Sequence, residues 1–151
     1  MSTEKTIYVD ASNQILGRLA SIVAKKLLEG YRVYVVNANK CVISGEKKRV
    51  LEGYKLLFRV KTHYNPDKSG IRRPRTPHGI FKRTVRGMLP MDKPKGREAF
   101  KRLKVYSGLP PMFRNVNLIR FQEADVSRLK NRYIYLEELA SELGFKKRFG
   151  E

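Results

Sequence analysis

The chain has 151 residues, of which 41% are hydrophobic, and 33 Lys and Arg against 14 Asp and Glu leave a net charge of +19. That length fits one domain with a single core, and the excess charge does nothing for folding because like charges repel in a compact state. No apolar run of about 18 residues exists, so a membrane span is excluded and the expected partner is a soluble polyanion. A lone cysteine, Cys41, rules out an intrachain disulfide and points to a reducing compartment. The start of the chain lacks the basic and apolar regions of a secretory signal, so a cytoplasmic location is expected.

Ile7-Tyr8-Val9 is a β-prone run, and Asp10 to Asn13 supply turn and cap residues. Leu16, Leu19, Ala20, Val23 and Leu27 follow at i, i+3, i+4, i+7 and i+11, one face of an amphipathic helix that Gly30 can end. Val33 to Val36 is nearly continuous apolar sequence, as in a strand covered on both faces. Strand, helix and strand within about thirty residues predict a parallel βαβ unit with a right-handed crossover. Cys41 comes soon after that strand and reads as a buried, inert thiol.

A second helix is predicted after Ser44-Gly45, from Val50, Tyr54, Leu57 and Phe58. Shorter helices are expected at Ile80–Met88 and Arg97–Lys104, a strand at Val116–Phe121, and a last helix at Leu136–Leu143 before Gly144. The whole reads as one α/β layered domain, 1–151, with a central parallel sheet flanked by helices and a basic loop and helical extension.

The charge is concentrated. Residues 55–104 hold 16 basic and 3 acidic side chains, a net of +13, whereas 1–54 and 105–151 carry +4 and +2. A generally basic solvated surface would spread the excess evenly, so 55–104 is the expected binding segment. Within it, Arg59 and Lys61 lead into a loop broken by Pro66, Gly70, Pro74 and Pro77 that carries Lys68, Arg72, Arg73 and Arg75. Tyr64, His63 and His78 offer flat surfaces for unstacked bases; the plainer alternative is an idle exposed loop. On the next helix Lys82, Arg83 and Arg86 should face outward, with Ile80 or Phe81, Val85 and Met88 inward. Lys95 precedes a second stripe, Arg97, Lys101 and Lys104, with Arg102 beside it and Phe100 and Leu103 behind. Such stripes bring cations to phosphate oxygens.

Catalytic constellations are missing from the sequence. Two histidines and one cysteine do not make a four-ligand zinc site, and Asp10 to Gly17 contains one glycine where a dinucleotide fingerprint needs three. No cofactor, metal or small-molecule substrate is expected. An RNA-modifying enzyme on a Rossmann-like scaffold and a regulator of messenger RNA are the competing classes.

Longer motifs carry a resemblance. DASNQILGRLASIVAKKLLEG at Asp10–Gly30, Val35-Val36-Asn37-Ala38, Ile43-Ser44-Gly45, GIFKRTVRGMLP at Gly79–Pro90 and KGREAFKRLKVYSG at Lys95–Gly108 resemble the thirteenth large-subunit ribosomal protein family, in its archaeal and eukaryotic form. The resemblance implies a compact α/β fold and a structural role in the large subunit. Binding and organising large-subunit ribosomal RNA beside neighbouring ribosomal proteins is part of that role. Carried onto matching positions, it implies RNA contacts at Lys82, Arg83, Arg86, Arg97, Lys101 and Lys104. The loop arginines are expected contacts on charge alone.

Overall fold

The computed structural model describes residues 5–147. β1 (Thr6–Asp10) and β2 (Arg32–Val36) pair in parallel, Ile7 opposite Val33 and Val9 opposite Val35, and α1 (Leu16–Leu28) makes the crossover. The apolar stripe read from the sequence is the face α1 buries: Leu16, Leu19, Ala20, Val23 and Leu27, with Ala24 between them. Gly30 turns the chain out of the helix at φ +98, a left-handed conformation that glycine adopts without steric cost.

Asp10 ties the ends of the two strands together. Its Oδ1 accepts from the Ser12 amide and from Asn37 Nδ2, each at 3.0 Å. Partial burial opposes its ionisation, yet these bonds and the nearby Arg120 prevail and hold the carboxyl below its ordinary value. It is a turn residue, as its place in the sequence suggested.

β3 (Val42–Ser44) is followed by α2 (Lys47–Arg59), a single helical turn α3 (Pro66–Ser69), α4 (Pro77–Gly87), α5 (Pro94–Lys101), β4 (Leu103–Val105), β5 (Tyr133–Tyr135) and α6 (Leu136–Glu142). β4 extends the sheet on the far side of β2, also in parallel, giving the order β1-β2-β4; β3 and β5 form a separate antiparallel pair. Val9, Val33, Val35 and Leu103 share one core with Leu19 and Val23 of α1 and Phe81 and Val85 of α4. The opposite face presents Tyr8, Tyr34 and Tyr106, whose rings gather around Phe113 at 5.3–5.6 Å. The fold is α/β, a single domain with a parallel sheet flanked by helices.

Two expectations change. The helix anticipated over Arg97–Lys104 stops at Lys101, because Leu103 and Val105 pair with Val33 and Val35 of β2. The stretch Val116–Phe121 forms no ladder. Only Ile119 meets β1: its amide donates to Tyr8 O at 2.8 Å and its carbonyl accepts from the Asp10 amide at 3.0 Å. Pro110 and Pro111 deliver the chain to that edge through a short 3-10 turn, and it leaves again at once.

Candidate nucleic-acid interface

α4 is built for a two-sided role. Thr76 caps its start, Oγ1 accepting from the Gly79 amide at 3.3 Å, and Pro77 occupies the first turn, where its missing N–H costs nothing. Ile80, Phe81 and Val85 are buried. At 3.6 residues per turn, Lys82, Arg83 and Arg86 fall on the arc opposite those three. Met88, expected inward, is 42% exposed; the helix ends at Gly87, and Leu89 fills the core position instead.

α5 packs on α1 and on the turn that follows α4. Gly96 is buried against the carbonyl of Pro90, where any Cβ would collide, so only glycine permits this approach. Lys82 Nζ stands 5.2 Å from the centre of the Phe100 ring, a cation–π contact that joins the two helices. Lys95 and Lys101 are exposed. Arg97 folds back: Nε donates to Met91 O at 3.1 Å and Nη2 to Asp92 O at 2.7 Å, clamping the turn before the helix. Arg102 Nη2 donates to Leu27 O at 2.7 Å, at the end of α1.

The predicted stripe of Arg97, Lys101 and Lys104 is therefore not one helix face. Lys104 lies on β4 opposite Tyr34, on the sheet surface away from α1 and α4.

The loop between α2 and α4 is less regular. Arg59, Lys61 and Arg72 are exposed, and Tyr64 is 84% exposed with its ring free for stacking. Asn65, at φ +42, accepts from the Lys68 amide at 3.3 Å and starts the single turn of α3. Arg73 is half-buried. Arg75 is committed to the protein: Nη1 donates to Leu143 O at 2.6 Å, and the guanidinium covers the Phe58 ring at 4.4 Å. His78 bonds the Ser107 hydroxyl at 2.9 Å, which fixes its ring, whereas His63 is exposed. Nothing in the sequence flagged Arg75 and Arg102 as scaffold donors, since their acceptors, Leu143 and Leu27, are remote along the chain.

Among the described residues, the ion pairs are Lys26–Glu29, Lys47 with Glu138 and Glu142, Arg132–Glu46 and Lys147–Glu137. None draws on a cation from 55–104, so the positive potential of that segment is left uncompensated. Among the same residues no group of His, Cys, Asp and Glu could hold a metal, and no helix is long and apolar enough to cross a membrane. Cys41 is fully buried, and burial pushes its thiol up to about 12, so the nucleophilic thiolate is not formed near neutral pH.

A small α/β domain whose parallel sheet is flanked by helices, with cations gathered on α4, α5 and the loop before α4, belongs to the class of basic structural scaffolds. The chain is a member of the ribosomal protein L13 family, whose model matches residues 4–111. It is 55% identical over 143 residues to large ribosomal subunit protein uL13 of Sulfolobus acidocaldarius, covering 95% of this chain and 96% of that protein. The uL13 protein of Saccharolobus solfataricus is 51% identical (94% and 95% covered), and that of Methanocaldococcus jannaschii 44% (91% and 97%). The family is one of structural ribosomal proteins and not of enzymes.

Proposed function

We propose that the protein is a constituent of the large ribosomal subunit in the cytoplasm, where it binds large-subunit ribosomal RNA through residues 55–104 and supports the folding of that RNA during assembly. The observation that carries this reading is the set of cations on the outward arc of α4 and on α5 that have no acidic partner among the described residues: Lys82, Arg83, Arg86, Lys95 and Lys101. Their apolar backs are fixed in the core, so they meet phosphates without first being ordered. Arg59, Lys61 and Arg72 extend the surface along the loop, and Tyr64 adds a stacking ring. Arg75, Arg97 and Arg102 act mainly by holding the helices that present the others. Lys104 reaches RNA only where the RNA wraps past the edge of the sheet. Neighbouring large-subunit proteins are the expected protein partners.

Filter retention of purified protein with large-subunit ribosomal RNA tests the reading. Binding should weaken steeply with salt, with a log–log slope of about −6 to −7 when all eight of these cations meet phosphates. Failure to retain the RNA at low ionic strength defeats the proposal. A tagged chain should sediment with the large subunit; one found only with messenger RNA would move the protein to the regulatory class.

A further inference from the structure

α2 enters the fold without fully burying any residue, although it carries Tyr54, Leu57 and Phe58 on the side toward α4. Between the two helices lies a cleft of about 190 Å³. The Tyr54 and Phe58 rings line it from one side, and Arg83 and Thr84 of α4 from the other. Arg73 lines it from the loop, and its Nε is shut off from solvent with no acceptor. Among the described residues no acidic side chain lines the cleft. It shares Phe58 and Arg73 with a more open hollow of about 540 Å³, which also has Lys61, Arg72 and Arg75 along its walls.

This combination narrows the occupant. A lipid chain or an apolar side chain would cover the rings and leave two guanidinium groups facing apolar matter, which is costly. A free phosphate would pair with the arginines and leave the aromatic walls wet. The space is below the roughly 300 Å³ at which drug-sized ligand sites begin, so it suits one flat ring system. An unstacked base joined to its phosphate satisfies both halves, by stacking and by charge-assisted hydrogen bonds to arginine. The open, cation-lined hollow beside it gives the adjoining backbone a path.

We propose that the cleft between α2 and α4 receives a single unstacked nucleotide of ribosomal RNA, its base against Tyr54 and Phe58 and its oxygens toward Arg73 and Arg83. The inference rests on the RNA-binding reading above and adds a site for one unstacked base to it.

The test fills the cleft without removing a cation. In Thr84→Trp a ring replaces a side chain whose hydroxyl bonds only to Ile80 O, at 2.9 Å within its own helix. Leu57→Trp does the same from α2, where Leu57 is 40% exposed. Each is compared with wild type by circular dichroism, melting, filter retention against salt, and base and backbone footprinting of the RNA. Affinity should fall about five- to a hundredfold, the range for losing one stacked base, with the log–log salt slope flattened by about 1 for the one phosphate that leaves with it. One nucleotide protected from base-modifying reagents by the wild type should become reactive, while the backbone footprint persists. Where one variant fails to fold, the other decides. Folded variants that keep wild-type affinity and base protection overturn the cleft proposal and leave RNA binding standing. So does a loss of affinity without a change at any single base. If the wild type ignores the RNA, the RNA-binding reading fails first and this one with it.

Discussion

Arg83 and Arg86 on α4 and the arginines on either side of it, Arg75 and Arg102, share one basic stretch of chain, but the fold uses them in opposite ways. The first two stand on the outward arc of a helix whose back is buried, without an acceptor among the described residues. The other two are spent on the ends of helices. Arg102 reaches the carbonyl of Leu27 in the last turn of α1, and Arg75 that of Leu143 just behind α6. The last carbonyls of a helix have no intrahelical partner and carry the negative end of its dipole, so a permanently charged multidentate donor is well suited there. Net charge therefore overstates the proposed binding surface: part of the excess closes the scaffold, and only the remainder is left for a partner.

The largest effect expected from this division is on RNA binding. Lys82→Ala/Arg83→Ala/Arg86→Ala should lower affinity for large-subunit ribosomal RNA about 10²-fold near 0.1 M salt and flatten the log–log slope by about 2–3, as loss of three phosphate contacts requires. Its melting temperature should stay within a few degrees of wild type, since only the Lys82–Phe100 contact is lost from the fold. Filter retention and calorimetry measure the two quantities. Unchanged affinity in a folded protein would remove α4 from the interface.

Arg102→Ala should show the reverse pattern. It strips a charge-assisted bond from a partly buried carbonyl, costing about 1–3 kcal/mol of stability. For a chain of this size that lowers the melting temperature by roughly 3–10 °C. The salt slope of RNA binding should remain that of the wild type. A flattened slope with no thermal loss would place Arg102 among the RNA contacts and erase the division.

The sequence exposed the elements that local pattern determines. α1 shows a full apolar stripe because that face is buried from end to end among the sheet, α4 and α5, and β2 shows an apolar run because its neighbours cover it. β4 was hidden for a specific reason. Phe100 and Leu103 are three apart, which a helix explains as well as a helix running into a strand, and the pairing with Val33 and Val35 is a contact across some seventy residues of chain. β3 and β5, three residues each, carried too little pattern to register and depend on each other. The site was legible as a chain segment, through its charge, but not as a surface. Lys104 crosses to the other side of the sheet, Arg97 folds back on the turn before its own helix, and Arg75 and Arg102 reach carbonyls that only the fold brings near.

The smallest effect discriminates most finely, because it keeps every charge. Arg86→Lys leaves a cation on the outward arc of α4, and a phosphate accepts an ammonium as a point charge, so melting temperature and salt slope should both match wild type. Arg75→Lys keeps the same formal charge but loses the planar group that covers Phe58 at 4.4 Å while bonding Leu143 O. An ammonium on a flexible stem does not meet both geometries at once. The expected cost is about 0.5–1 kcal/mol, a fall of roughly 1–4 °C in melting temperature. Two substitutions of identical type, eleven residues apart, should thus separate by a few degrees in calorimetry and not at all in salt dependence. If Arg75→Lys melts with Arg86→Lys, the guanidinium over Phe58 adds nothing to the fold, and Arg75 returns to the pool of cations available to RNA.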